Sequence, residues 1–476
     1  RQQCNCWRNN HGNSQRAKYN LPSFCYIIIP MQKSFNRKWI APILFVIGIV
    51  IFFLPPVYSR AMPRIDGWIS SVKYLINPPD EATFQPQQQS PVDIAVTQMM
   101  QTRVATQTLE ATSTPTPGPT LTPTVTSTPL PASVSLTGFK YVDQRNRWNY
   151  CGPANLTMAL DFVGWGGNRD DIARVIKPGI QDPKLDFIQK GRSDVNVMPY
   201  ELVDFVNDET EYRALSRLGG DIDVAKRLLA AGFPFIAEKG YYEKDYQGKV
   251  AWLGHYQFVT GYDDAKGELT VQDTWNDGPN FRIKYDEFES AEAWLSFDNI
   301  FIVVYQPERE AELLNVLGPY ADDTWASNRA REIAEDRIAE SEGIDQYFAW
   351  FAKGTSHVAL FEYADAAAAF DQAFAIYNDL GKDDKQRPYR MMWYQTGPYK
   401  AYFYTGRYQD VIDLANVTLI ETISKPTLEE SIYWRAQAKY MIGDTPGAIA
   451  DYRETLRLHP NWGPAIQALQ DLGVQP

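Results

Sequence analysis

The sequence predicts two folded parts in tandem, an α+β domain and then an all-α helical repeat domain, behind an N-terminal transmembrane helix and a disordered Thr/Pro-rich linker. Three observations predict this. The apolar run at residues 39–58 is long enough to cross a bilayer, which takes about 20 residues. Residues 112–132 alternate Thr with Pro and offer no apolar face to bury. Beyond them, helices followed by strands fill residues 133–307, and helical periodicity alone fills 308–476.

At the N-terminus, residues 1–30 show no sustained period and read as an unstructured upstream extension, with Met31 as the expected start. Residues 31–60 then form a short cytoplasmic segment and the anchor. Lys33, Arg37 and Lys38 precede the apolar run, so the positive-inside rule places the chain beyond the anchor outside the cytoplasm. A cleaved signal peptide is the alternative, but it would end in a small-x-small site, and "VYSRAM" is a poor one. The expectation is a single-pass cell-membrane protein with extracytoplasmic main domains. Residues 61–132 are the low-complexity linker; little packed structure is expected over 59–111, and the Thr/Pro stretch acts as a spacer.

Within 133–307, residues 150–163, 195–206 and 221–231 read as helices. Strands are expected at 233–240, 256–262, 269–275 and 299–307. In 308–476 internal similarity is more informative than propensity. The spacing of Trp350, Gly354, Ala366, Phe370 and Ala373 resembles a tetratricopeptide helix pair. Residues 442–460 repeat the second-helix pattern with Gly443, Ala448, Tyr452 and Pro460, and residues 405–420 are a looser copy. The alternative is a generic alanine-packed bundle. Such arrays bind peptides or proteins, or pack on a neighbouring domain.

The formal net charge of -12 argues against a nucleic-acid partner, which selects a basic face. The chain has 4 Cys (Cys4, Cys6, Cys25, Cys151) and 4 His (His11, His255, His357, His459). After Met31 only Cys151 remains, so no disulfide forms within that part, and a zinc site of the usual Cys/His type is excluded there. No cofactor and no metal are expected.

Between residues 133 and 307 the only thiol is Cys151 and the only imidazole is His255. Cys151 opens a helix whose apolar face carries Leu156, Leu160 and Val163, and Pro153 suits the first turn. The helix dipole there lowers a thiol pKa. Gly152 leaves room for a substrate carbonyl, and the Cys151 N–H can face an oxyanion. A hairpin centred near Asp264 would set His255 opposite Asp273 on one face, Val259 opposite Leu269 and Gln257 opposite Val271. A one-residue slip would put Asp273 on the wrong face. Gln144 is the candidate side-chain oxyanion donor, because an amide donates without titrating. Asp263, Asp264 and Asp277 read as turn and loop acids; Trp148, Trp252 and Trp275 line a cleft or pack the core.

"NYCGPANLTMAL", "GHYQFVTGYDD" and "LTVQDTW", in this order, resemble the papain-like cysteine peptidases of the bacteriocin-processing (double-glycine peptidase-like) type, over roughly residues 137–307. The resemblance implies a papain-like fold with Cys151 as nucleophile, His255 as base then acid, Asp273 as orienter and Gln144 as oxyanion donor. The family's glutamine usually lies closer to its cysteine, so a bulge in "RNRWN" would absorb the difference. The expected function is a membrane-anchored extracytoplasmic cysteine peptidase acting on a peptide or protein substrate, with a protein partner on the tetratricopeptide-like domain. Alternatives are a cell-wall peptide amidase or transpeptidase with the same thiol chemistry, or an inactive peptide-binding scaffold.

Overall fold

The computed structural model describes residues 84–87, 129–144, 149–178, 196–244, 250–275, 277–381, 387–388, 390–419 and 429–476. All of them fall in one compact unit, Ile69–Pro476. The extension at residues 1–30, the anchor at 39–58, the Thr/Pro run at 112–128 and Trp148 lie outside the described residues. Among those described, no helix is long and apolar enough to cross a membrane.

The first part of the fold follows from period-two alternation along its strands. The elements in chain order are β1 (Ser133–Ser135), α1 (Cys151–Val163), α2 (Arg169–Ile176), α3 (Pro199–Glu209), β2 (Arg213–Arg217), α4 (Ile222–Ala230), β3 (Phe235–Lys244), β4 (Val250–Asp263), β5 (Glu268–Asp273), β6 (Phe281–Lys284) and β7 (Phe301–Tyr305). The sheet is antiparallel in the order β2-β7-β3-β4-β5-β6, with β1 paired to the end of β4.

Ile236, Tyr256, Phe258, Ile302 and Val304 point to one face and pack on α1, α2 and α3 through Leu156, Leu160, Ile172 and Leu202. Phe235, Ala237, Val259, Val271 and Val303 point to the other, against Leu228 and Leu229 of α4. Burying one such large side chain stabilises by about 1.5–3 kcal/mol, so this alternation fixes which face each strand presents. The predicted helices and strands all have counterparts. The elements β1, α2, β2 and β6 are additional to those expected. They are short, and α2 is recognised by its ends: Asn168 and Asp171 form a reciprocal capping box.

After Tyr305 the chain is helical: α5 (Glu310–Leu317), α6 (Asp323–Glu340), α7 (Gly343–Ala359), α8 (Tyr363–Asp379), α9 (Gly397–Tyr404), α10 (Tyr408–Thr418), α11 (Glu429–Met441), α12 (Thr445–Leu458) and α13 (Gly463–Asp471). Tight turns at 360–362, 405–407 and 442–444 join α7 to α8, α9 to α10 and α11 to α12. Each turn holds one residue at positive φ: Phe361 at 60°, Gly406 at 78° and Gly443 at 89°. Gly354 lets α7 and α8 approach closely, since a Cβ there would sit 2.5 Å from Cε1 of Phe370.

The helical region shares its core with the sheet. Trp252, Leu295 and Phe297 cluster with Phe348, Phe351, Met391 and Met392. Ser356 on α7 donates to the buried Asp298 carboxylate, and Asn196 donates to the Trp393 carbonyl at 2.7 Å. One expectation needs correction: the segment read as unpacked linker contains a packed anchor. Phe84 is buried, with its ring 4.9 Å from Phe374 and 5.9 Å from Tyr402. The backbone N–H of Gln87 donates to Asp410, and Asn378 donates to the Phe84 carbonyl.

Candidate active site

Cys151 is the first residue of α1 and is half-buried. Asn149 precedes it at φ 47°, a left-handed conformation that Asn tolerates, and this turns the chain into the helix. The helix N-terminus has no side-chain cap and no acidic residue in its first turn, so nothing competes there for the backbone N–H groups. Gly152 also has a packing role. A Cβ on it would lie 3.1 Å from Cγ1 of Val197, so its smallness serves packing against the segment before α3.

His255 and Gln257 continue the row of Val259 on β4, while Asp273 ends the row of Leu269 and Val271 on β5. The ladder pairs Asp263 with Glu268, Tyr262 with Leu269 and Gly261 with Thr270, then slips by one to pair Val259 with Val271 and Gln257 with Asp273. The expected register set His255 opposite Asp273; the structure sets Gln257 there. The hairpin turn lies later than Asp264, and Thr260 is an extra residue without a β5 partner. The two effects displace the register by two, an even number, so Asp273 stays on the face of His255.

That face holds a connected set. The Nε2 of His255 donates to Oδ2 of Asp273 at 3.0 Å, and Nε2 of Gln257 donates to the same oxygen at 2.8 Å. Oδ1 of Asp273 accepts from the backbone N–H groups of Trp275 at 2.8 Å and Asp277 at 3.4 Å. Burial opposes its charge, yet the His255 cation and these donors hold the Asp273 carboxyl well below the usual carboxylate range. With Nε2 committed to Asp273, Nδ1 is the ring nitrogen left over, and His255 and Cys151 are close enough for each to shift the other's pKa. Burial pulls the imidazole down, but Asp273 and then Cys151 outweigh it and raise its pKa to about 10. Burial pushes the Cys151 thiol up, while His255 and the backbone N–H groups of Tyr256 and Gly152 bring it below its ordinary value. Both shifts favour a thiolate–imidazolium pair.

Gln144 is buried at the end of β5. Its backbone N–H donates to the Thr274 carbonyl at 2.9 Å, and its Oε1 accepts from the Thr274 hydroxyl at 2.7 Å. The acceptor end of the amide is thereby fixed, and the Nε2 donor end is the one left to act. Residues 145–148, where a bulge was expected, lie outside the described residues.

Three further residues support the site. Asn155, buried on α1, donates through Nδ2 to the Cys151 carbonyl at 2.9 Å and to the Tyr256 carbonyl at 2.7 Å, tying the thiol's helix to the imidazole's strand. The signal in the sequence is a polar residue on an otherwise apolar helix face. Tyr241 packs edge-on against the His255 ring at 5.6 Å. Glu238 stands opposite Tyr256 on β3, where burial and then the charge of Cys151 push it well above the usual carboxylate range. Asp263 pairs with Lys266, and Asp264 with Lys226 and Tyr285, as turn acids. Trp252 is core: it stacks on Phe297 at 5.6 Å and donates to the Glu292 carbonyl.

Comparison with known proteins gives the same region. Residues 136–301 match the family described as Peptidase_C39 like. Two solved structures are similar to parts of the chain. One, described as a C39-like peptidase from Bacillus anthracis, is 18% identical, covering 36% of this chain and 96% of its own at a TM-score of 0.28. The other, xylellain, a cysteine protease from Xylella fastidiosa, is 16% identical, covering 48% and 94% at a TM-score of 0.25. No curated protein matches the chain.

Proposed function

We propose that the chain is a cysteine peptidase in which Cys151 is the nucleophile. The observation that carries this reading is a single imidazole, His255, hydrogen-bonded to the Asp273 carboxylate and near enough to the Cys151 thiol for each to shift the other's pKa. The match of residues 136–301 to a C39-like peptidase family supports the same reaction class.

In the reaction, the Cys151 thiolate attacks the carbonyl carbon of a peptide bond, and negative charge develops on the carbonyl oxygen. The Nε2 amide of Gln144 and the backbone N–H at Cys151 donate to that oxygen. His255 then gives its Nδ1 proton to the leaving amine, and an acyl-enzyme remains. Now neutral, His255 takes a proton from water, which attacks the thioester and releases the acid. Asp273 keeps the ring oriented and its charged form favoured throughout, as the third member of a triad does. The helical region acts as a tetratricopeptide-like platform for a protein partner, and residues 39–58 anchor the chain with these parts outside the cytoplasm.

Mass-spectrometric mapping of cleavages in a denatured proteome digest tests this. Wild-type protein is expected to cut at reproducible sites, while Cys151→Ala does not. Cleavage by both, or by neither while peptidoglycan peptides are hydrolysed, overturns the reading.

A further inference from the structure

Away from the thiol, three buried carboxylates converge where the helical region meets α3. Glu201 stands in the first turn of α3, Glu429 and Glu430 open α11, and His459 follows α12. Glu201, Glu429 and Glu430 are 6%, 1% and 5% exposed, and the His459 side chain is 12% exposed. The Nδ1 of His459 lies 2.8 Å from Oε1 of Glu429 and 3.9 Å from Oε1 of Glu201, and one donor atom from each of the three falls within 4.8 Å of the others.

Part of this cluster has ordinary partners. Oε2 of Glu201 accepts from the Met198 N–H at 2.8 Å, and Oε1 of Glu430 accepts from the Tyr200 hydroxyl at 2.9 Å. The second oxygens of Glu429 and Glu430 are buried with no hydrogen-bond partner among the described residues. Buried carboxylates without partners are costly, since each needs a counter-charge or a proton. Two ammonium groups face them: Lys177 acts on Glu201 and Glu429 while its Nζ also donates to the Asn149 carbonyl at 3.2 Å, and Lys400 acts on Glu430. Two ammonium groups, one of them shared with a backbone carbonyl, do not balance three carboxylates.

We propose that Glu201, Glu429 and His459 bind a divalent cation, Zn²⁺ by the mixture of one imidazole and two carboxylates. Oxygen and nitrogen donors about 2.0–2.2 Å from a tetrahedral zinc lie about 3.3 Å apart, and the observed 2.8 and 3.9 Å straddle that spacing. The carboxylates of Glu201 and Glu429 neutralise the ion, and the orphaned oxygens of Glu429 and Glu430 lie buried in the same cluster. The ion joins α3 of the sheet-bearing part to α11 and the end of α12. Lys177 carries the same cluster to Asn149, two residues before Cys151. The scarcity of Cys and His argued against a zinc site of the usual Cys/His type, and no metal was expected; this donor set is one imidazole and two carboxylates.

The test is calorimetric titration of Zn²⁺ into the full chain after chelator treatment, with thermal unfolding and zinc-edge X-ray absorption. The expected result is one zinc per chain, a raised Tm, and nitrogen and oxygen around the metal without sulfur. Glu429→Gln and His459→Gln each abolish uptake and the rise in Tm. The proposal fails if the wild-type chain takes up no zinc. It fails equally if both variants keep full uptake, or if sulfur scattering places the metal on the N-terminal cysteines.

Discussion

Asp273 accepts from Nε2 of His255 at 3.0 Å although its partner across the β4–β5 ladder is Gln257. The carboxylate reaches the imidazole diagonally, and Gln257 donates to the same oxygen at 2.8 Å. Thr260, without a partner on β5, keeps the phase: with the register of the turn continued, Asp273 would face Phe258 and point into the α1 side of the sheet.

This arrangement fixes a pH dependence. Asp273 is ionised across the working range and raises His255 to about 10, while the Cys151 thiol is depressed. Activity should rise with pH as Cys151 ionises and fall as His255 loses its proton near that upper value. Asp273→Asn removes the charge that raises His255, so the alkaline limb moves to lower pH. The kcat is expected to fall by about 10²–10⁴-fold, read from pH profiles of kcat and kcat/KM.

Asn155 bridges the carbonyls of Cys151 and Tyr256. Asn155→Ala leaves both acceptors without that donor, at a cost of about 1–3 kcal/mol in denaturant unfolding. The thiol then loses its alignment with the imidazole, so kcat falls more than KM rises. Equal stability and unchanged kcat would show the bridge to be incidental.

Gln144 is oriented by the Thr274 hydroxyl. Gln144→Ala is expected to lower kcat by about 10²–10³-fold with little change in KM, as for loss of one oxyanion donor. Thr274→Val releases the amide and gives a smaller loss in the same direction. Steady-state kinetics on both variants reads the difference.

Phe361 occupies at φ 60° the turn position that Gly406 and Gly443 occupy in the later helix pairs, and it is 75% exposed. A bulky residue there carries left-handed backbone strain with little burial in return. Phe361→Gly should stabilise the protein by about 1 kcal/mol, seen as a raised Tm without change in activity.

Much of the site is legible in the sequence because its chemistry is scarce. Cys151 and His255 are the only thiol and imidazole of residues 133–307; Cys151 starts its helix, and His255 lies within β4. Asp273 is found even with a register wrong by two, because parity protects the assignment. A bulge such as that at Thr260 depends on how β1 and β3 flank β4, which no local pattern in β4 records. Asn155 is hard to single out because its i+4 bond to Cys151 is local, while its second partner, Tyr256, is distant in sequence. The shared core that brings Trp252 against Phe348 is equally invisible, since both residues look like ordinary core within their own segments. Phe84 shows the same limit: in a polar segment, a lone aromatic gives no period to read.

The central claim is that His255 holds Cys151 as a thiolate. Alkylation of the full chain with iodoacetamide across a pH series, with Cys151 quantified by peptide mass spectrometry, measures this directly. The account predicts modification of Cys151 at neutral pH, an inflection below the free-thiol value of about 8.5, and its displacement upward in His255→Ala. An inflection at or above the free-thiol value in the wild-type protein, unmoved by His255→Ala, would contradict it.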